Sequence, residues 1–322
     1  MKHLAVLTSG GDASGMNAAV RAVIRTAIHS GLKTSVVYRG FQGLIDDDIE
    51  EVGARAVANV IQRGGTVLRS ARSEEFHTPE GRARGAANLR KRGIEGLAVI
   101  GGDGSFRGAS LLSQEQGIAV AGIPATIDND IYGTDVAIGF NTAINVALDA
   151  IDRLRDTAAA HDRLFLVEVM GRNSGHIALN VGVGGGAEAI LVPESPLSGD
   201  EVAGAVMRAH DRGKSSSIIV VAEGAYPGGA MALEKHVKRV SGYEIRTSIL
   251  GHIQRGGSPT TRDRVLASRL GYVAVKRLLE GKSGEMVGVN KRGVVYVPLT
   301  DVWENKKELD WQLYEIAKVL AT

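Results

Sequence analysis

Short apolar runs alternate with longer amphipathic segments along this chain of 322 residues. The runs LAVLT, TSVVY and GLAVI are short and rich in β-branched residues, which predicts buried strands. Between them, residues 16–29 and 105–116 have the composition and length of helices. Strands that alternate with helices are typical of βαβ units, so the pattern predicts an α/β fold with a mostly parallel sheet.

The alternation restarts after a helix expected near residues 141–156, in which Ile144, Leu148 and Ile151 recur at helical spacing. The later runs RLFLVEV, AILVP and SIIVVAEG, with a strand near residues 245–250, predict a second α/β sheet. A chain of 322 residues also exceeds the size at which one hydrophobic core usually stops growing. Two domains are therefore expected.

Composition narrows the class of protein. The 44% of hydrophobic and 23% of charged residues are typical of a soluble globular protein. A net charge of +2, from 38 basic and 36 acidic residues, argues against a nucleic-acid binder that acts through bulk electrostatics. The chain has no cysteine, no long apolar run and no signal-peptide pattern at its start. We therefore expect a cytoplasmic protein without disulfides. We expect neither nucleic acid nor a membrane among its partners.

The segment PATIDND places two carboxylates, Asp128 and Asp130, one residue apart after the apolar run Ile118 to Ile123. If that run is a buried strand, its carboxyl end is where open α/β sheets bind ligands, and residues two apart in an extended segment share a face. Neighbouring carboxylates repel unless a cation or proton separates them, so one could hold a metal ion while the other accepts a proton. A polar turn that only caps backbone groups is the structural alternative.

Four predicted strand-to-helix junctions are rich in glycine: SGGDASG, GGDGS, GRNSG and VGGGAE. Glycine lets phosphate oxygens approach backbone N–H groups, and the following helix N-terminus favours negative charge. Two such loops on one sheet predict a polyphosphate site, although neither has the P-loop or GxGxxG spacing. Asp103, between the glycines of GGDGS, is a candidate metal ligand or helix N-cap.

Basic side chains recur near the predicted strand ends. His252 and Arg255 lie in LGHIQRGGSP, Arg246 lies upstream, and Arg172 follows RLFLVEV. Guanidinium and imidazole groups give several directed donors to a phosphate monoester. Glu223, which ends SIIVVAE, offers acceptors to sugar hydroxyls. Each is, taken singly, more often a solvated or ion-paired surface charge, and only their shared position at strand ends favours a sugar-phosphate site.

This chemistry leaves three classes in competition: a sugar-phosphate kinase, a phosphate-binding regulatory module, and a dehydrogenase with an atypical dinucleotide loop. The dehydrogenase is the weakest, because the glycine fingerprint and the ribose-binding acid about twenty residues further on are missing. A binding module has no need for two acids that face its ligand without a paired cation. The kinase is the favoured hypothesis, since PATIDND lies between two predicted phosphate sites.

The motifs TSGGDASGMNAAVR, GGDGS, PATIDND, EVMGRNSG, AEGAYPGG and GHIQRGGSP occur in this order along nearly the whole chain. They resemble those of the bacterial ATP-dependent 6-phosphofructokinase family. The resemblance implies two Rossmann-like three-layer α/β/α domains with mostly parallel sheets and an active site in the cleft between them. It implies a larger ATP-binding domain of residues 1–138 with 251–301, and a smaller fructose-6-phosphate-binding domain of residues 139–250 with 302–322.

The resemblance also implies the reaction, a step of glycolysis in which MgATP phosphorylates the 1-hydroxyl of fructose 6-phosphate to give fructose 1,6-bisphosphate and ADP. Asp128 matches the general base and Asp130 a supporting acid. Thr126 and Arg172 match groups that stabilise the negative charge on the transferred phosphoryl group. Asp103 matches the position that binds Mg²⁺. The matching nucleotide positions are Gly11, Arg72, Gly102, Asp103, Gly104 and Ser105. The matching sugar-phosphate positions are Thr126, Asp128, Arg163, Met170, Gly171, Arg172, Glu223, Arg246, His252 and Arg255.

Assembly and regulation follow from the same resemblance. Arg163 and Arg246 match arginines that family members lend from a neighbouring subunit, so we expect a homotetramer with shared active and effector sites. Six positions match the site for an activating ADP or the inhibitor phosphoenolpyruvate: Arg21, Arg25, Arg155, Glu188, Arg212 and Lys214. From the residues alone, Arg21 and Arg25 on one helix indicate no more than a solvated basic face.

Two positions bear on the choice of phosphoryl donor. The pyrophosphate-using branch of the superfamily carries Asp in GGDDS and Lys in PKTIDND, whereas this chain has Gly104 and Ala125 at those positions. Glycine leaves room for the α-phosphate of a nucleotide. ATP is therefore the predicted donor, and dependence on pyrophosphate is the alternative.

Overall fold

The computed structural model describes residues 1–159, 164–211 and 217–321. The chain divides into two compact units. Unit 1 comprises Met1–Thr126, Ile131–Thr142 and Arg255–Lys307, and unit 2 comprises Ile127–Asp130, Ala143–Gln254 and Glu308–Thr322.

The boundaries of the units differ somewhat from those that the resemblance implies. The chain passes between the units after Thr142, Gln254 and Lys307, a few residues beyond the expected positions 138, 250 and 301. The segment Ile127–Asp130 is also grouped with unit 2. The contacts of Asp128 with the loop that follows the first strand of unit 2, described below, account for that grouping.

The strands, numbered along the chain, are β1 (His3–Thr8), β2 (Lys33–Val37), β3 (Ile49–Glu51), β4 (Gly96–Gly101), β5 (Ala119–Thr126), β6 (Ile138–Gly139), β7 (Leu164–Val169), β8 (Ala189–Leu191), β9 (Ser217–Ala222), β10 (Ile245–Ile249), β11 (Glu285–Asn290) and β12 (Gly293–Pro298). The α-helices are α1 (Met16–His29), α2 (Gly40–Ile45), α3 (Pro79–Lys91), α4 (Asp103–Gln116), α5 (Phe140–Ala159), α6 (His176–Gly184), α7 (Gly199–Asp211), α8 (Gly229–Ser241), α9 (Thr261–Leu279), α10 (Leu299–Glu304) and α11 (Trp311–Leu320). In the ranges that the structure describes, 3₁₀ turns span Glu75–His77 and Gly251–Arg255.

The sheet of unit 1 has the strand order β12-β11-β5-β4-β1-β2-β3 within the described residues, and β6 pairs with the end of β5. The central pairs are parallel, and antiparallel pairing occurs where β3 and β12 form the edges. Every residue of β1 and β4 is buried, as expected for strands that helices cover on both faces. The predicted α/β fold with mostly parallel strands is confirmed.

The sheet of unit 2 is smaller, and the described strands have the order β10-β7-β9-β8. All of its pairs are parallel. The strand β7 is central, because its residues pair with β9 on one side and with β10 on the other. In a parallel sheet the carboxyl ends of neighbouring strands lie at one edge, so the loops after β7, β9 and β10 all emerge there.

Small residues allow α1 and α9 to approach closely on unit 1. A methyl group added to Gly271 of α9 would lie 2.7 Å from the Cβ atom of Ala22 and 3.0 Å from the backbone oxygen of Ala19 on α1. A separate buried cluster of unit 1 joins Leu7 of β1 and Leu97 of β4 to Phe106 of α4. None of the helices in the described ranges combines the length and hydropathy that a bilayer span requires.

Asp263, at the start of α9, joins that helix to the start of α5 and is completely buried. Its Oδ1 accepts a hydrogen bond from the Gly139 backbone N–H at 3.0 Å, and its Oδ2 accepts from the backbone N–H and hydroxyl of Thr142 at 2.7 and 2.6 Å. Burial raises the pKa of Asp263, while these hydrogen bonds act in the opposite direction. The carboxylate satisfies three buried donors at once.

We expect an Asp263→Asn substitution to lower the free energy of unfolding by about 2–4 kcal/mol, because one amide oxygen cannot serve all three donors and the new NH₂ faces buried N–H groups. Denaturant unfolding at neutral pH measures the change. Asp149→Asn, on an exposed part of α5, is the control and should cost less than about 0.5 kcal/mol. Equal costs for the two variants would contradict the structural role of Asp263.

Candidate active site

The segment after β5 carries the two acids that the sequence singles out. Asp128 is buried, with 4% of its surface exposed, whereas Asp130 is exposed. Asn129 between them has φ 55°, so the segment is not extended as the prediction assumed. The two carboxylates therefore occupy different environments, and a supporting role for Asp130 stays a prediction.

Asp128 faces the loop that follows β7. Its Oδ2 lies 3.7 Å from Nε of Arg172, and its backbone oxygen accepts a hydrogen bond from the Ser174 hydroxyl at 3.2 Å. The Arg172 side chain is 64% exposed, so its guanidinium can meet a ligand as well as Asp128. A buried carboxylate beside an accessible guanidinium places a proton acceptor next to a group that can bind a phosphoryl oxygen.

The loop from Met170 to Gly175 is held in a conformation that needs support. Gly171 has φ 143° and Arg172 has φ 53°, values that L-residues rarely adopt. Side-chain oxygens from three other segments accept its N–H groups: Gln254 Oε1 from Met170 at 2.8 Å, Glu223 Oε1 from Arg172 at 2.6 Å, and Glu194 Oε1 from Gly175 at 2.9 Å. The expected sugar-binding acid Glu223 thus uses one oxygen to fix Arg172.

The carboxyl edge of the unit 2 sheet gathers several predicted residues. Met170, Gly171 and Arg172 follow β7, Glu223 follows β9, and His252 follows β10. Arg246 does not belong to this group, because it is the second residue of β10 and lies near the amino end of that strand. The prediction that Arg246 shares the strand-end location is therefore wrong, since β10 begins at Ile245.

The first two glycine-rich loops meet on unit 1, as predicted, because they follow the neighbouring parallel strands β1 and β4. The Ser9 N–H donates to the Ile100 oxygen at 2.9 Å. A methyl group on Gly101 would lie 2.5 Å from the backbone oxygen of Ser9. Glycine is thus required at position 101 by the close approach of two backbones.

The segment that carries Arg72 is attached to the same loops. The Ser70 hydroxyl donates to the Gly10 oxygen at 2.7 Å, and the Thr8 hydroxyl donates to the Arg69 oxygen at 2.9 Å. Arg72 follows two residues later and is exposed. Gly11, Arg72 and the GGDGS loop therefore belong to one region of unit 1.

Asp103 lies at the start of α4, and its Oδ1 accepts a hydrogen bond from the Gly104 backbone N–H at 2.7 Å. Both residues are exposed, and methyl groups added to Gly102 or Gly104 would meet no atom within 4 Å. No cluster of three or more metal-binding side chains occurs in the described ranges. Magnesium is often bound by one or two carboxylates together with substrate phosphates, so a single exposed Asp103 fits that mode.

Arg255 contacts the first glycine-rich loop of unit 1. Its Nη1 donates to the Asp12 backbone oxygen at 3.1 Å, and a methyl group on Gly11 would lie 2.5 Å from the same nitrogen. The sequence grouped Arg255 with the sugar-phosphate positions, and that role stays a prediction. In this structure its guanidinium lies beside Gly11, which the resemblance assigns to the nucleotide instead.

Two of the expected effector residues, Arg155 and Glu188, form hydrogen bonds with the backbone of unit 2. Arg155 Nη2 donates to the backbone oxygens of Gly185 and Gly186 at 2.5 and 2.9 Å. Glu188 Oε2 accepts from the Ile218 N–H at 2.6 Å. Arg21 and Arg25 lie on α1 of unit 1. The remaining expected positions Arg163, Arg212 and Lys214 lie outside the described residues.

The sequence patterns do not identify Ser174, Glu194 and Gln254, although each of them holds the Arg172 loop. Ser174 and Gln254 lie inside motifs that were recognised, GRNSG and GHIQRGG. Their positions were a usable signal, because a polar residue between two candidate ligands often supports them. Glu194 lies in no recognised motif.

Comparison with known proteins identifies the family of this chain. The family model described as phosphofructokinase matches residues 3–278. The chain is 55% identical over 321 residues to a Thermus thermophilus protein named ATP-dependent 6-phosphofructokinase 1, and the match covers 100% of both chains. It is 51% identical over 321 residues to ATP-dependent 6-phosphofructokinase of Bacillus licheniformis, again over 100% of both.

Solved structures show the same fold. Phosphofructokinase from Saccharomyces cerevisiae matches with a TM-score of 0.89 and 34% identity, over 99% of this chain and 47% of the yeast chain. A pyrophosphate-dependent phosphofructokinase from Marinobacter aquaeolei matches with a TM-score of 0.85 and 25% identity, over 97% of this chain and 86% of that one. An α/β fold with glycine-rich loops after its parallel strands defines the class. This chain belongs to the phosphofructokinase family.

Proposed function

We propose that this chain is an ATP-dependent 6-phosphofructokinase, which transfers the γ-phosphoryl group of ATP to the 1-hydroxyl of fructose 6-phosphate and releases ADP. The observation that carries the proposal is the pairing of buried Asp128 with exposed Arg172 at 3.7 Å. Asp128 supplies a proton acceptor and Arg172 a cation on two loops that contact each other, as phosphoryl transfer requires. The full-length relatives named for this reaction support the same conclusion.

In the proposed mechanism, Asp128 accepts the proton of the attacking sugar hydroxyl, and Asp130 supports it. Arg172 and Thr126 bind oxygens of the transferred group, where negative charge accumulates in the transition state. Met170, Gly171, Glu223 and His252 bind and orient the sugar phosphate. Glu223 can do so while it holds Arg172, because the bond to the Arg172 N–H uses only Oε1.

The nucleotide phosphates are proposed to bind the exposed glycine-rich loops of unit 1. Backbone N–H groups at a helix N-terminus and the nearby Arg72 attract the negative charge of the phosphates. Asp103 would hold Mg²⁺ there together with the phosphates, and the ion would neutralise part of their charge. As a glycolytic enzyme, the protein is proposed to work in the cytoplasm.

Dependence on pyrophosphate is the alternative, and it is less well supported. Gly104 and Ala125 stand where the pyrophosphate branch carries Asp and Lys, and the relatives at 55% and 51% identity are named for ATP. A coupled assay for fructose 1,6-bisphosphate, with fructose 6-phosphate and Mg²⁺ present, compares the two donors directly. Activity with ATP alone supports the proposal, and activity with pyrophosphate supports the alternative. No activity with either donor rejects the assigned substrate.

The proposed assembly is a homotetramer whose subunits share active and effector sites, with ADP and phosphoenolpyruvate as effectors. The position of Arg246 supports the proposal that it contributes to the active site of a neighbouring subunit. It is exposed on β10 and lies near the amino end of that strand, away from the residues at the carboxyl end. Arg155 and Glu188, around the loop at Gly185, are the described unit 2 residues of the proposed effector site.

A mixing experiment tests the shared site. An Asp128→Asn protein and an Arg246→Ala protein should each be nearly inactive, and dissociation and reassembly of the mixture should restore some activity, since hybrids contain sites with both residues intact. Differently tagged subunits verify that hybrids form. Hybrids that form without any recovery would contradict a site completed by a neighbour.

A further inference from the structure

Gln254 is buried, with 1% of its surface exposed, and lies in the 3₁₀ turn Gly251–Arg255 between His252 and Arg255. Its Oε1 accepts the Met170 N–H at 2.8 Å, across 84 residues of sequence. Its Nε2 has no hydrogen-bond partner among the described residues. A buried amide with an unpaired NH₂ group is poorly explained by packing alone, because an apolar side chain could fill the same space without burying the unpaired Nε2 donor.

The Met170 N–H is the first amide beyond the paired part of β7. Up to Val169 the backbone of β7 is satisfied by its neighbours; the Val169 oxygen accepts from the Glu223 N–H at 2.9 Å, and the Glu168 oxygen accepts from Leu250 at 3.0 Å. Met170 itself is 7% exposed. Gln254 thus replaces a strand partner at the point where the chain leaves the sheet.

The loop begins its reversal immediately after Met170. Gly171 and Arg172 both have positive φ, so the orientation in which Arg172 leaves the sheet depends on where Met170 is held. Arg172 then reaches Asp128 at 3.7 Å. A shift of Met170 would move Arg172 relative to Asp128, and losses of this kind can be large even when the moved group lies outside the chemistry.

We propose that Gln254 is a positioning residue, which sets the Met170–Arg172 segment relative to Asp128 and to the turn that carries His252. The inference rests on the proposed function for its kinetic consequences. Gln254 acts through Met170 and Arg172 and touches no substrate. Its effect should fall on the sugar phosphate and on turnover, because the residues that it arranges belong to unit 2 whereas the nucleotide loops belong to unit 1.

Gln254→Met keeps the length of the side chain and removes the acceptor. We expect it to raise KM for fructose 6-phosphate and to lower kcat, each by about tenfold or more, with KM for ATP changed less than about twofold. Gln254→Glu keeps an acceptor oxygen toward Met170 and should recover much of kcat. Gln254→Asn keeps the amide but is one methylene shorter, so its KM and kcat should change as in Gln254→Met. It replaces Gln254→Met in the test if the methionine variant fails to fold.

Asn88→Leu is the matched control, because Asn88 also bonds backbone groups, the oxygens of Leu44 and Ile45 at 3.0 Å, and lies on α3 of unit 1. It should lower stability without changing the ratio of the two KM values. Gln254 variants with kinetics like the wild type, or with both KM values raised equally, would overturn the inference.

A second measurement does not depend on the identity of the substrate. Hydrogen exchange of the backbone amides from Met170 to Arg172, followed without ligand, should become at least tenfold faster in Gln254→Met and stay unchanged in Asn88→Leu. Unchanged exchange in Gln254→Met overturns the inference even if the wild-type enzyme is active. A wild-type protein that makes no fructose 1,6-bisphosphate while Gln254→Met exchanges faster rejects the proposed function and retains the positioning role.

Discussion

An Asp128→Asn enzyme should turn over about 10²–10⁴ times more slowly than the wild type, while the KM values for both substrates change little. The amide has nearly the shape of the carboxylate and can still contact Arg172, but it cannot accept the proton of the sugar hydroxyl. Because the lost interaction exists only in the transition state, kcat and kcat/KM should fall together. Steady-state kinetics with fructose 6-phosphate and ATP measure the change.

Asp149→Asn is the control for this experiment, since it removes an exposed carboxylate of α5 that pairs with the exposed Arg153 on the same helix. It should leave turnover within about twofold of the wild type. The pH profile gives an independent check, because the acidic limb of kcat should flatten when the base is lost. An Asp128→Asn enzyme with near-normal turnover would remove Asp128 from the role of base.

Much of the site could be predicted from sequence because parallel sheets order their loops. Once β1 and β4 were recognised as buried strands, the loops that follow them had to emerge at the same edge, and the hydrogen bond from Ser9 to Ile100 joins them there. The same rule brings together the loops after β7 and β9, where Arg172 and Glu223 meet. Position at a strand end is a property that short-range sequence patterns can reveal.

The details that could not be predicted depend on where each strand begins and on side-chain contacts over long sequence separations. Arg246 precedes the same loop as His252, but β10 begins at Ile245, so Arg246 lies at the opposite end of the strand. The bond of Gln254 to Met170 crosses 84 residues, and that of Arg255 to Asp12 crosses 243. No periodicity or spacing in the chain specifies such pairs, which tertiary packing alone determines.

The bend at Asn129 separates the two acids of PATIDND. The apolar run before PATIDND predicts extended geometry for Asp128 and Asp130, but Asn129 adopts a left-handed conformation with φ 55°. Asparagine is among the non-glycine residues that tolerate that conformation. The residue type was therefore a signal that the acids would be separated, with Asp128 buried and Asp130 exposed.

The residue at position 104 should have a large effect on the use of ATP as phosphoryl donor. A Gly104→Asp enzyme should lose about 10²-fold or more in kcat/KM for ATP, while its KM for fructose 6-phosphate stays within about threefold of the wild type. A side chain fits at this position, because a Cβ atom on Gly104 meets nothing within 4 Å and the residue is in the first turn of α4. An acid there is compatible with the helix dipole, so folding should not suffer. The new carboxylate beside Asp103 would instead repel the nucleotide phosphates.

Gly104→Ala separates bulk from charge, since it adds the Cβ atom alone and should reduce kcat/KM for ATP by less than about fivefold. The two variants are compared by initial rates with ATP and by thermal unfolding, which should give similar midpoints for both. A Gly104→Asp enzyme that uses ATP as well as Gly104→Ala would show that the open space at Gly104 does not select the donor. Equal and severe losses in both variants would mean that steric fit, rather than repulsion between the acid and the phosphates, excludes the nucleotide.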